Sequence, residues 1–191
     1  MHPPLFYIHG KDSGPDGYRA KFLKSHFPRI QVPQLTNDIP QRLEVLDKLI
    51  AEPSYLVGSS LGGLTSLGFA KDHPERVLGM VLVAPAVGFA NPAYRTPPVM
   101  DYVDKLVIPK AIPTWVIAGR RDEIIPLSAI EALIRRSEDS SNIPFRIFDE
   151  DHLLHSPEAL KAQINAIQAM TGTVSAENAG KPVSGSNRTF G

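Results

Sequence analysis

The 191-residue chain has no cysteine, which excludes disulfides, zinc–thiolate and iron–sulfur sites, and a thiol nucleophile. Any metal would have to bind through His, Asp or Glu side chains. Charge of one sign is also missing: 20 Lys and Arg balance 20 Asp and Glu, and no sustained basic run exists to grip nucleic acid or an anionic lipid surface. The expected partner is a small molecule. Long apolar runs are absent too. Met1-His2-Pro3-Pro4 carries no basic segment, and the apolar stretch 5–8 is far shorter than the roughly 7–15 residues of a secretory signal core. The longest apolar candidate, 77–87, is broken by Gly79 and Pro85 and falls well short of the ~20 residues of a bilayer span. These features lead us to expect a cytoplasmic chain, and none of them fixes an oligomeric state.

Hydrophobic residues make up 42% of the chain, enough for a packed core, and the length suits one domain over 1–170. Short apolar runs bounded by turn residues alternate with stretches of helical period, the pattern of a mostly parallel sheet with helices on both faces. This predicts an α/β fold, a three-layer α/β/α sandwich with about six strands. The strands are placed at 5–9, 30–32, 55–58, 77–84, 114–118 and 144–148. Helices are placed at 18–27, 41–51, 61–71, 127–137 and 157–170, the second with Leu43, Leu46, Leu49 and Ile50 on one stripe. Ser156-Pro157 is a good opening for the last helix, a cap followed by proline at the first helical position. Many of the 18 prolines cluster at 85–113, expected as a loop or short lid. Residues 171–191 are small and polar and read as a disordered tail.

The sharpest motif is Gly58-Ser59-Ser60-Leu61-Gly62-Gly63 at the end of an apolar strand and the start of a helix. A serine nucleophile on a strained strand-to-helix turn needs glycine two before and two after it, because side chains there would collide across the bend. Ser60 has that spacing. Ser59 does not, since Val57 precedes it by two, and is read as packing beside the turn. The bland alternative is a glycine-rich turn that only packs tightly.

A second element, His9-Gly10-Lys11, ends the first strand. Acyl transfer needs two backbone N–H donors aimed at the developing oxyanion, one after the nucleophile and one from a loop after an early strand. The amides of Leu61 and Lys11 suit those places, and His9 is read as a brace for the loop. A serine also needs a base and a group to orient it. Asp122 lies in the loop after the strand at 114–118, and His152 lies just past the last strand. His155 competes with His152 as the base, and Asp104 and Glu123 remain alternative acids.

Together these segments resemble the α/β-hydrolase family over residues 5–170. Gly58 to Gly63 matches its nucleophile elbow, His9-Gly10 its oxyanion loop, Ile112 to Pro126 its acid strand and loop, and Asp151-His152 its terminal Asp-His. The resemblance is to the small lidless bacterial-type esterase and thioesterase branch. It implies a triad of Ser60, Asp122 and His152, an oxyanion hole from the Lys11 and Leu61 amides, and no cofactor or metal. The chain starts at the His-Gly strand, so the antiparallel strands usual before it are not expected. Phe89, Tyr94 and Met100, with Tyr102 and Val103 nearby, are candidates for lining an acyl pocket. The implied activity is hydrolysis of small carboxylic esters. Acyl-thioesterase, perhydrolase or cofactor-free haloperoxidase-like chemistry with the same triad, and a non-catalytic binding protein, are kept as alternatives.

Overall fold

Alternation of apolar side chains along each strand decides the layers. In the computed structural model, which describes residues 2–172, five strands form one fully parallel sheet in the order β1-β2-β3-β4-β5. They are β1 (Leu5–Ile8), β2 (Ser54–Ser59), β3 (Val77–Val83), β4 (Thr114–Gly119) and β5 (Phe145–Phe148). The helices are α1 (Tyr18–His26), α2 (Ile39–Leu49), α3 (Leu61–Asp72), α4 (Pro97–Asp104), α5 (Leu127–Arg136) and α6 (Pro157–Thr171). Tyr7, Val57, Val81 and Ile117 point to one side, where they meet Ala20 and Leu23 of α1 and Ala159, Ala166 and Ile167 of α6. Their strand neighbours Phe6, Ile8, Leu56, Met80, Leu82 and Val116 point to the other, against Leu46 of α2, Leu64 and Leu67 of α3, Val103 of α4 and Leu133 of α5. Burial on both faces is why these strands read as unbroken apolar runs.

The expected strand at 30–32 shrinks to a single parallel bridge. Gln31 donates to Leu5 O and accepts from Tyr7 N, both at 2.8 Å, beyond β1. Pro33 lacks the N–H needed to extend that ladder, so the sheet has five strands and one bridged residue where about six strands are expected. The chain thus steps outward from β1 to Gln31 and then returns to β2 on β1's other side. Such a reversal opens a crevice at the carboxyl ends of the two strands, the place where ligands bind in open α/β sheets. Those ends are His9-Gly10-Lys11 and Ser59-Ser60.

Helix ends follow their sequence signals. Asp38 caps α2 by accepting from Gln41 N at 2.9 Å, and Ser156 caps α6 by accepting from Ala159 N at 3.1 Å. Such a cap is worth about 1 kcal/mol. The stripe of α2 differs from expectation. Leu46 and Ile50 are buried, but Leu49, the last helical residue, is exposed, and Arg42 takes a fully buried place on the same face. The proline-rich segment holds a short 3-10 turn at Pro92–Tyr94 and α4, which is tied to α5 by Arg136 donating to Leu106 O and Val103 O. Of the expected polar tail, Thr171 and Gly172 close α6 and the remainder lies outside the described residues. No helix of the described residues is long and apolar enough to cross a membrane.

Candidate active site

Ser60 stands between β2 and α3 with φ 54° and ψ −119°, a left-handed conformation unusual for any residue but glycine. Its backbone is held from several sides: Ser60 N donates to Val83 O, and Ser60 O accepts from Gly63 N and Ala86 N. The flanking glycines are there for space. A Cβ on Gly58 would lie 2.6 Å from Gly62 O, and one on Gly62 would lie 1.8 Å from Ile8 O. Gly63 is confined likewise by Pro85. Ser59 ends β2, and its side chain faces the Tyr7 hydroxyl.

His152 and Asp122 arrive from the ends of β5 and β4. His152 Nδ1 donates to Asp122 Oδ2 at 2.7 Å, and His152 Nε2 lies 3.0 Å from Ser60 Oγ, placed to accept its proton. The Asp122 side chain is only 1% exposed, and its other oxygen accepts from Ile124 N and Ile125 N at 2.9 and 2.8 Å. Both oxygens are therefore engaged, and the carboxylate has one orientation to offer the imidazole. The loop bearing His152 is anchored by buried Leu154, which has φ 48°, and by Arg19 of α1, which donates to Leu153 O and Gln163 Oε1. Gly119 lets the two loops touch, since a Cβ there would sit 2.5 Å from Asp151 O. His155 packs at a tilt against Tyr18, with ring centroids 5.3 Å apart, and does not join this chain of hydrogen bonds. Neither does Glu123, which is exposed, nor Asp104, at the end of α4.

The loop after β1 completes the setting. Gly10 packs beside Ser60, its would-be Cβ 3.4 Å from Ser60 Cβ. Leu61 N is the first amide of α3, where no intrahelical acceptor exists, and Lys11 N donates to no protein acceptor among the described residues. The Lys11 ammonium is exposed and pairs with Asp12 at 3.2 Å. Asp12 itself, at φ 52°, is clamped by Asn37, which donates to its carboxylate and accepts from its N–H. His9 is buried: Leu35 N donates to Nε2 at 3.3 Å, which leaves the proton on Nδ1 for Gly10 O at 2.9 Å. Burial, reinforced by the Arg42 cation, holds this imidazole below its ordinary pKa and keeps it neutral.

Of the three pocket candidates, Phe89 and Tyr94 pack as a tilted pair, centroids 5.9 Å apart and planes at 50°, and Tyr94 lies within electrostatic reach of Lys11. Met100 sits apart on α4, whose Tyr102 hydroxyl lies over Gly68 of α3. Ile124 and Leu153, each about half exposed, flank the acid and the base in sequence. A separate concavity of about 230 Å³, lined by Ile108, Lys110, Pro113 and Ile143 among others, opens near the start of β4, at the opposite end of that strand from Asp122. Among the described residues no cluster of three or more His, Asp or Glu side chains is placed to share a metal ion.

Sequence reasoning missed Arg42. Its guanidinium is fully buried, its Nε donates to Thr65 Oγ1 at 2.9 Å, and Nη1 and Nη2 donate to Thr36 O and His9 O. Burial, with no carboxylate paired to it among the described residues, pushes its pKa down to about 10. The available signal was its position four residues before Leu46 and eight before Ile50, on the buried stripe.

Comparison with known proteins finds similarity to hydrolases. Residues 31–111 match the family model described as Hydrolase_4, serine aminopeptidase, S33. A 41-residue segment is 46% identical to the 2-hydroxy-6-oxo-6-phenylhexa-2,4-dienoate hydrolase of Comamonas testosteroni; it covers 22% of this chain and 14% of that relative. The chain therefore matches about a seventh of that enzyme's length. Among solved structures, the mouse alpha/beta hydrolase domain-containing protein 10 superposes with a TM-score of 0.72 at 19% identity, covering 92% of each chain. The monoacylglycerol lipase of Paleococcus ferrophilus superposes at 0.67 and 16% identity, covering 90% of this chain and 96% of that one.

Proposed function

Since the chain has the fold of solved α/β hydrolases and its residues 31–111 match a hydrolase family model, we propose that it is a serine hydrolase of small carboxylic esters, working through an acyl-enzyme on Ser60. The observation that carries this reading is the His152 bridge, with Nε2 3.0 Å from Ser60 Oγ and Nδ1 2.7 Å from Asp122 Oδ2. Ser60 Oγ attacks the acyl carbonyl while His152 takes its proton, and the carbonyl π electrons move to oxygen, where the Lys11 and Leu61 amides receive the negative charge. Collapse expels the alkoxide, to which His152 returns the proton. Water, deprotonated by the same imidazole, then releases the carboxylic acid. Asp122 keeps the proton on Nδ1 so that Nε2 faces the serine as a base. Phe89 and Tyr94, the latter within electrostatic reach of Lys11, are proposed to line the acyl side of the site. The lipase among the structural neighbours is named for an oxygen ester, which agrees with this substrate class.

The test needs no substrate. A fluorophosphonate probe should phosphonylate wild-type protein on Ser60, located by mass spectrometry, and should leave folded Ser60→Ala unlabelled and folded His152→Ala labelled far more slowly. No adduct on folded wild type, or an adduct elsewhere, would refute the reading. Matched oxygen and sulfur esters then decide the leaving group, and turnover of sulfur esters alone would move the substrate class to thioesters.

A further inference from the structure

Arg42 is a buried cation with no carboxylate partner among the described residues, yet it is bound on every arm. Such a charge is costly to desolvate, and a neutral side chain of similar volume would pack α2 with less penalty. What the guanidinium touches is informative. Nη2 holds His9 O, at the peptide just before Gly10, and Nε holds Thr65 Oγ1, which in turn donates to Leu61 O at 2.8 Å. One arm thus reaches the loop that presents the Lys11 amide, and the other reaches, through Thr65, the first turn of α3 that presents the Leu61 amide. The third arm, on Thr36 O at 2.7 Å, fixes the guanidinium plane itself.

The peptide geometry carries the effect forward. With the His9–Gly10 peptide held by Arg42, the His9 imidazole keeps Gly10 O through its Nδ1 proton. In a trans peptide the N–H points opposite to the C=O, so fixing Gly10 O also fixes the direction of Lys11 N–H. We propose that Arg42 is a positioning residue that straps the two halves of the oxyanion hole together, setting the spacing and direction of the Lys11 and Leu61 amides. This rests on the serine-hydrolase reading for its catalytic consequence, but the strap itself is measurable without any substrate.

The variants are Arg42→Met, which keeps volume and removes the donors, Arg42→Lys, which keeps the charge but not the fork, and Leu46→Ala, a control on the same buried helix face. With a p-nitrophenyl ester, Arg42→Met should lose ~10–10²-fold in kcat with KM nearly unchanged, because the donors act on the transition state rather than on the bound substrate. Binding of a trifluoromethyl ketone, whose hemiketal oxygen occupies the hole, should weaken by a similar factor, with partial recovery in Arg42→Lys. Amide NMR should show the Gly10, Lys11 and Leu61 resonances displaced and exchanging faster in Arg42→Met but not in Leu46→Ala. If Arg42→Met does not fold, Arg42→Lys is read by the same signals, at reduced size. Unchanged kcat and unchanged amides would overturn the proposal, as would losses that Leu46→Ala reproduces at matched melting temperature. A wild-type chain without esterase activity would refute the hydrolase reading alone, and displaced amides in the Arg42 variants would still support the strap.

Discussion

Substituting Gly62 by alanine is the most severe test of the Ser60 turn. The added Cβ would lie 1.8 Å from Ile8 O, 2.5 Å from Ile8 C and 2.8 Å from His9 O. All three are backbone atoms, so no rotamer change relieves the collision. Ordinary contact requires the first turn of α3 to part from the end of β1 by about 1.5 Å. Ser60 and Leu61 move with one side of that gap and Lys11 with the other. Misplacement by ~1 Å costs about 10²-fold in rate, and loss of one oxyanion donor costs roughly 10²–10³-fold. Gly62→Ala should therefore lower kcat/KM for a p-nitrophenyl ester by ~10²–10⁴-fold, with about 1–3 kcal/mol of destabilisation from overpacking. Gly68→Ala is the control on the same helix. Its Cβ would meet the Tyr102 hydroxyl at 2.2 Å, the tip of a side chain able to swing aside, and activity should stay within about twofold. Urea denaturation and steady-state kinetics on the two variants make the comparison. A Gly62→Ala protein with wild-type kcat/KM would refute the argument that the α3–β1 contact sets the site.

Three further outcomes are expected. Asp122→Asn can keep the bonds from Ile124 N and Ile125 N but offers Nδ2–H to His152, which reverses the tautomer; single-turnover kinetics should show a loss on the order of 10⁴ with the melting temperature little changed. The Tyr102 hydroxyl is buried with no hydrogen-bond partner among the described residues, so Tyr102→Phe should hold stability or raise it by up to about 1 kcal/mol in urea titrations; a clear loss would reveal an unseen partner. His9 has a lower pKa in the folded chain than in the unfolded one, so the unfolded state binds more protons below about pH 6.5, and stability is full above that value and falls as pH drops towards the folded value. His9→Gln should flatten the decline of melting temperature between about pH 7 and pH 5, and an unaltered slope would place the acid sensitivity elsewhere.

The legible parts of the molecule are those where a single residue type satisfies a steric or periodic demand. Gly58, Gly62 and Ser60 could be read together because the bend leaves no room for a Cβ at either glycine. Asp122 and His152 could be placed because each follows a short apolar run, and strand ends of a parallel sheet share one edge. His152 is favoured over His155 in the sequence by its place nearer the strand end and directly after Asp151, and the fold adds what the sequence does not show, His155 turned against Tyr18. Ile30-Gln31-Val32 reads as a strand in the sequence because its alternation does not reveal how many hydrogen bonds survive beside Pro33. Arg42 was hidden by the convention that charge marks the solvent face; its three acceptors come from distant segments and cannot be summed from local sequence.

Ser60 and His152 lie 92 residues apart in the chain, with β3, β4 and β5 between them. Contacts of such separation close late, because the intervening loops must be ordered before any pairing rewards them. On the proposed mechanism, a nascent or truncated chain that ends before β5 would hold Ser60 and the loop after β1 but lack His152 as the base. Where probe labelling depends on His152, its onset during refolding clocks the docking of the last strand, separately from the collapse reported by Trp115 fluorescence on the neighbouring strand.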